Sequence, residues 1–228
     1  MRLWAVVPAA GSGARFGAAR PKQYECIGAR SVLWHAVRRV MQAPGLAGVA
    51  VGLAPERMSY DILSDLPVPV YPYVGGAARV HTVLLGLDAL TQADPEDWVL
   101  VHDAARPCLA RTDLERLLAA AGPEGALLGA PVTDTLKRSC DERSVESVPR
   151  AGLWRAFTPQ VFTLSVLRDA LTRAVDSGAE ITDEASAVER QGVRPRLVAG
   201  RPDNIKITFA EDLELAAAIL HRLEQEGI

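Results

Sequence analysis

Residues Pro8 to Tyr24 read Pro-Ala-Ala-Gly-Ser-Gly-Ala-Arg-Phe-Gly-Ala-Ala-Arg-Pro-Lys-Gln-Tyr, a stretch that combines a pliable backbone with positive charge. Gly11, Gly13 and Gly17 let the chain bend closely around a ligand, and Arg15, Arg20 and Lys22 bring cations with no acid nearby. Backbone N–H groups and fixed cations are what a polyphosphate requires. Two familiar phosphate loops do not fit. Walker A places Lys directly between Gly and Ser/Thr, whereas Lys22 stands between Pro21 and Gln23. A dinucleotide fingerprint needs its third glycine where this chain has Phe16. The glycines alone are equally consistent with an ordinary strand-to-helix turn; the cations favour a nucleoside triphosphate.

A second chemical stretch, His102-Asp-Ala-Ala-Arg-Pro107, closes an apolar run that begins at Trp98. Ligands of open parallel sheets collect outside the carboxyl ends of the strands, where the first loop also falls. Asp103 is a candidate ligand for Mg²⁺, which favours one or two carboxylates together with phosphate oxygens. A helix cap or a structural partner for Arg106 is the competing reading of that carboxylate.

The elements that must position these groups alternate. Strands are expected at Leu3–Val7, Gly48–Leu53, Val68–Tyr73, Trp98–His102 and Gly125–Gly129, with a short one at Arg196–Ala199. Between them, Ser31 caps a helix carrying Leu33, Val37, Val40 and Met41 on one face, and Gly75-Gly76 opens another through Leu90. Thr112-Asp-Leu-Glu115 and Thr208-Phe-Ala-Glu211 read as capping boxes, and further helices are expected at Ser165–Ser177 and Thr182–Glu189. The alternation argues an α/β fold with a mostly parallel sheet covered on both faces. It breaks between Pro131 and Trp154, where polar residues flanked by valines suggest a projecting hairpin, or a surface loop.

The 228 residues suffice for a single domain, residues 1–228, with one excursion at about 132–153. A net charge of −3 argues against a nucleic-acid or membrane surface, so anionic ligands must be met by local clusters. Cys26, Cys108 and Cys140 are far apart and fit neither a disulfide framework nor zinc spacing, and the histidines show no ligand spacing. No signal-like apolar core or membrane-length run is present, so a cytoplasmic location is expected.

Further pieces follow in order: Gly75-Gly-x-x-Arg79, Asp134-Thr135, Leu153-Trp154, Thr158-Pro-Gln160, Thr182-Asp-Glu-Ala-Ser-Ala187 and Asp203-Asn-Ile-Lys206. Together with the first two stretches they resemble, over essentially the whole chain, the 2-C-methyl-D-erythritol 4-phosphate cytidylyltransferase family. The resemblance implies a Rossmann-like nucleotidyltransferase fold, a homodimer built through the arm, and a Mg²⁺-dependent reaction of CTP with 2-C-methyl-D-erythritol 4-phosphate that yields the CDP-alcohol and pyrophosphate. It also implies roles. Arg15 and Lys22 would stabilise charge on the α-phosphate and leaving group. Ala9, Ala10, Gly11 and Gly13 would cradle CTP, and Asp103 would hold the metal. Gly76, Ala77 and the residues up to Thr82 would read cytosine, with Ala104 and Arg106 fixing the nucleotide and phosphate region. Thr135, Thr158 and Lys206 would form the acceptor site, joined by Arg150 from the partner subunit.

One departure concerns the base. The family commonly carries an acid and a serine where this chain has Ala77 and Thr82. Rivals are a cytidylyltransferase for another polyol phosphate, such as ribitol 5-phosphate, and a non-catalytic nucleotide-binding module. A dinucleotide oxidoreductase is disfavoured by the late Gly17 and by the lack of a ribose-binding acid after the second strand.

Overall fold

The computed structural model describes residues 1–11, 16, 20–58 and 63–228. Gly13, Arg15 and Gly17 lie outside the described residues. The first strand, β1 (Leu3–Pro8), is apolar at every position because both of its faces are covered. Its side chains alternate between two cores. Leu3, Ala5 and Val7 point to one, Trp4 and Val6 to the other.

A short 3-10 turn at Lys22–Tyr24 leads into a small ribbon of β2 (Cys26–Ile27) and β3 (Arg30–Ser31). Helix α1 (Val32–Val40) follows, and the Ser31 hydroxyl accepts from Trp34 N–H as its N-cap. Then come β4 (Leu46–Leu53), β5 (Val70–Val74), α2 (Arg79–Ala89), β6 (Trp98–Val101), α3 (Arg111–Ala120) and β7 (Ala126–Pro131). The arm is a separate hairpin of β8 (Leu136–Cys140) and β9 (Arg143–Val148), exposed along almost its whole length. The chain returns as β10 (Trp154–Thr163), α4 (Leu164–Asp176), α5 (Glu184–Glu189), β11 (Arg196–Ala199) and α6 (Asp212–Gln225).

The seven-stranded sheet has the order β11-β7-β10-β6-β1-β4-β5. Only β10 is antiparallel to its neighbours, and it lies between β6 and β7. Helices α1 and α3 cover one face with Leu33, Val37, Leu114 and Leu117. On the other face, α2, α4 and α5 contribute Val83, Leu87, Leu167, Leu171 and Val188. Helix α6 packs outside, with Ile219, Leu220 and Leu223 against Val32 and Ile207. Among the described residues no helix is long and apolar enough to cross a membrane.

Three sequence expectations need correction. Strand β10 is absent from the pattern reading because Pro159 interrupts it, and the ladder absorbs that proline by shifting register between Ala156 and Gln160. Neither expected capping box forms. Helix α3 begins at Arg111 without a side-chain cap, leaving Asp113 buried to accept from Arg201 N–H, and at α6 it is Asp212 that accepts from Thr208 and Phe209 N–H. Helix α2 starts at Arg79, three residues beyond Gly76.

Candidate active site

The carboxyl ends of β1, β5 and β6 open onto a cleft of about 550 Å³ whose walls include Ala9, Ala10, Gly11, Lys22, Gly76, Ala77, Thr82, Asp103, Ala104 and Lys206. The first loop is held from below. Gln23 Nε2 donates to the Ala9 and Gly11 carbonyls, and Ala9 N–H donates to Gly52. The two loops after β1 and β5 touch: a Cβ at Gly75 would clash with Ala10 Cβ, so only glycine lets them approach this closely. Lys22 Nζ donates to the Ile207 carbonyl at 2.5 Å, joining the first loop to the far end of the chain.

Thr82 lies on the cleft wall but is 3 % exposed. Its hydroxyl is occupied within the loop: it donates to Ala78 O and accepts from Gly76 N–H. Ala77 adds a methyl group and its backbone. Polar side chains for a base are thus fewer here than the motif alone suggested.

A smaller cleft of about 210 Å³ adjoins the first and is walled by Arg106, Phe157, Thr158, Gln160, Thr182 and Asp183. Among the described residues, Arg79, Asp103 and Lys206 line both clefts. Asp103 is gripped there by cations. Arg79 stands 3.0 Å from Oδ1, Lys206 Nζ 2.8 Å from Oδ2 and Arg106 Nε 3.6 Å from Oδ2. Burial alone would raise the Asp103 pKa, but the charges of Arg79, Lys206 and Arg106 overcome it and hold the carboxyl well below the usual range. Asp103 is therefore an anion at any pH the enzyme meets.

Its backbone is equally fixed. The Asp103 N–H donates to Thr158 Oγ1 at 2.9 Å, and that hydroxyl contacts His102 Nδ1 at 3.1 Å. His102 Nε2 donates to Arg106 O, so Nδ1 is the acceptor and Thr158 gives it its proton. Burial, the largest influence, pulls the His102 pKa down to about 4, which keeps the ring neutral. Arg106 is buried over Phe157 and donates to Asn204 O, while Asn204 Nδ2 donates to Thr158 O. The candidate acceptor residue Thr158 thus also aligns the central carboxylate.

Thr135 and Arg150 belong to the exposed arm and line neither cleft of the single chain; Arg150 donates to the Thr133 carbonyl. Sequence reading missed two residues of the junction. Arg79 carried only a share in reading cytosine and Glu184 no role at all, yet Arg79 donates from both terminal nitrogens to Glu184, at 2.6 and 3.1 Å. Their separation of 105 positions hides the pair from any local pattern.

A metal has limited support from protein alone. No group of three or more His, Cys, Asp or Glu side chains among the described residues could enclose one. One ionised carboxylate on the wall of an anion-sized cleft nevertheless fits Mg²⁺, whose remaining ligands are commonly phosphates and water.

Comparison with known proteins decides the family. The model for "2-C-methyl-D-erythritol 4-phosphate cytidylyltransferase" matches residues 3–222. The chain belongs to this family. A relative of that name from Acidithiobacillus ferrooxidans is 51% identical over 99% of both chains. One from Cronobacter sakazakii is 48% identical over 96% of this chain and 94% of its own. The crystal structure of the Thermus thermophilus member superposes with a TM-score of 0.79 at 32% identity, covering 97% of this chain and all of that one. The mostly parallel sheet with its single reversed strand is the family's nucleotidyltransferase fold.

Proposed function

We propose that the chain transfers the cytidylyl group of CTP to 2-C-methyl-D-erythritol 4-phosphate, giving 4-diphosphocytidyl-2-C-methyl-D-erythritol and pyrophosphate in non-mevalonate isoprenoid synthesis. The observation that carries this reading is the meeting of two clefts at Arg79, Asp103 and Lys206. A triphosphate in the larger cleft and a phosphate monoester in the smaller one bring an oxygen nucleophile up to the α-phosphorus. The P–O bond to that oxygen forms as the bond to pyrophosphate breaks.

Such a transfer calls for positioning and charge neutralisation more than for proton chemistry. Ala10, Gly11, Gly76, Ala77 and Ala104 form walls for the nucleotide, with Ala9 and Thr82 shaping them, and Gly13 keeps the CTP-binding role that the family resemblance gives it. Lys22, with Arg15, stabilises charge growing on the α-phosphate and leaving group. Lys206 meets the acceptor phosphate from the junction, with Arg106, Thr158 and Thr135 on the acceptor side. Asp103 would hold Mg²⁺, which neutralises triphosphate charge when bound.

The acceptor half also draws on the arm. Val145 and Leu153 are exposed apolar residues there. We assign the arm to a homodimer contact that carries Arg150 to the partner's acceptor site. A cytoplasmic location suits both substrates.

Product identification with CTP, Mg²⁺ and a panel of polyol phosphates tests the reading. The methylerythritol phosphate should give the fastest pyrophosphate release. Faster turnover of ribitol 5-phosphate would reassign the acceptor, and CTP binding without turnover of any acceptor would reduce the chain to a binding module.

A further inference from the structure

Asp103 faces more cations than it can serve. Arg79 and Lys206 each take one of its oxygens, and Arg106 approaches the second. An incoming phosphate can recruit a cation from this cluster only if one lets go. The geometry distinguishes them sharply. Arg106 is buried and tied to Asn204 O, whereas the Lys206 side chain is 39% exposed. Arg79 is held by a second carboxylate: both terminal nitrogens reach Glu184, whose side chain is 1% exposed.

Glu184 itself is stiffly mounted. It opens α5, where Asp183 and Ser186 form a reciprocal capping box. Gln160 on β10 then accepts from Ala185 N–H and donates to Asp183 Oδ2, fastening that helix end to the central sheet. The apolar packing of this short helix rests on Ala185, Ala187 and Val188 and does not require a fully buried glutamate aimed at an arginine from α2. Arg79, with both terminal nitrogens on the carboxylate, offsets the cost of burying this charge.

We propose that Glu184 is a positioning residue that fixes Arg79 as the static cation at the junction of the clefts and so leaves Lys206 as the one that turns to the incoming phosphate. The assignment rests on the cytidylyl-transfer reading. Without the Glu184 charge, Arg79 would become a second mobile cation. It would grip the phosphates in the ground state without holding them in line.

This makes the expected signature different from that of structural damage. Glu184→Gln should lower kcat about tenfold or more while the KM values for CTP and acceptor stay level or fall. Titration calorimetry with pyrophosphate alone should show binding at least as tight as in the parent, with a steeper salt dependence. Raised KM values with kcat retained, or weaker pyrophosphate binding by the folded variant, would overturn the proposal. Because the variant breaks a buried pair, two others are needed. Arg79→Lys keeps the charge but loses the three separate nitrogens that reach Asp103 and Glu184 together, and should match Glu184→Gln in kcat. The double variant Arg79→Gln/Glu184→Gln removes both charges and should fold yet not regain kcat; parental turnover by either would equally overturn the idea. If the unmodified chain turns over no CTP with the methylerythritol phosphate, the cytidylyl-transfer reading itself fails, while the calorimetric comparison still reports on Glu184.

Discussion

Lys22 is placed by contacts that keep it at the nucleotide cleft, with its ammonium on the Ile207 carbonyl. If it stabilises charge that grows during transfer, Lys22→Ala should reduce kcat by about 10²–10³-fold with a much smaller rise in the KM for CTP. Steady-state kinetics with CTP varied at saturating acceptor separate this from a simple binding role, which would raise KM alone. The base is treated differently. With Thr82 committed to its own loop and Ala77 lacking a polar side chain, the proposed cytosine site at this loop offers mainly backbone groups. CTP should remain strongly preferred, with measurable leakage to UTP; comparable kcat/KM for all four nucleoside triphosphates would contradict this. Asp103, Lys22 and Lys206 were visible as single residues because each sits in a short run of unusual composition. Arg79 was visible too, but its purpose depends on partners 24 and 105 positions away, which no local spacing reveals.

Among the elements, the loops after β1 and β5, the proposed nucleotide loops, meet closely at Gly75 and Ala10. Gly75→Ala places a methyl group against Ala10 and should push the loops apart, raising the KM for CTP about tenfold while leaving that for the acceptor unchanged. Overpacking of this kind costs about 1–3 kcal/mol, which a thermal melt would register. The arm allows a test by complementation. Arg150→Ala and Lys206→Ala should each be nearly inactive with the acceptor at ordinary concentration. A mixed population should regain activity if Arg150 serves the partner's site, since one site of the mixed dimer is then intact. No recovery would place Arg150 in its own subunit or outside the site. Parallel strands and their helices were legible because β1, β4 and β6 are continuous apolar runs. Strand β10 was not, because a proline and a register shift conceal it, and with it went the support for Thr158 and Gln160.

Across the whole molecule, Asp97 ties several elements together. Its carboxylate accepts from Arg2 N–H, Trp4 Nε1 and Asp94 N–H, and its carbonyl accepts from Leu164 N–H. Burial alone would raise its pKa, but these hydrogen bonds and the Arg2 charge draw it down to about 2. A depressed carboxylate stabilises the fold fully above its unfolded pKa near 3.8 and loses that contribution as pH falls toward 2. The difference amounts to about 2 kcal/mol. The melting temperature should therefore drop through this window, and Asp97→Asn should flatten that segment of the profile while lowering stability at neutral pH. An unchanged slope would mean that other carboxylates govern acid unfolding.

The contact between Lys22 and Ile207 also bears on synthesis. Chains emerge from the ribosome amino end first. Every sheet strand except β11 precedes Asp176, yet Asn204, Lys206 and Ile207 close the clefts from near the carboxyl end. A chain truncated before Arg201 still carries every strand of the sheet but presents Asp103 without Lys206. Nucleotide trapping on a nascent chain should thus begin only once residues 201–207 have left the exit tunnel and packed against Lys22 and Asp103.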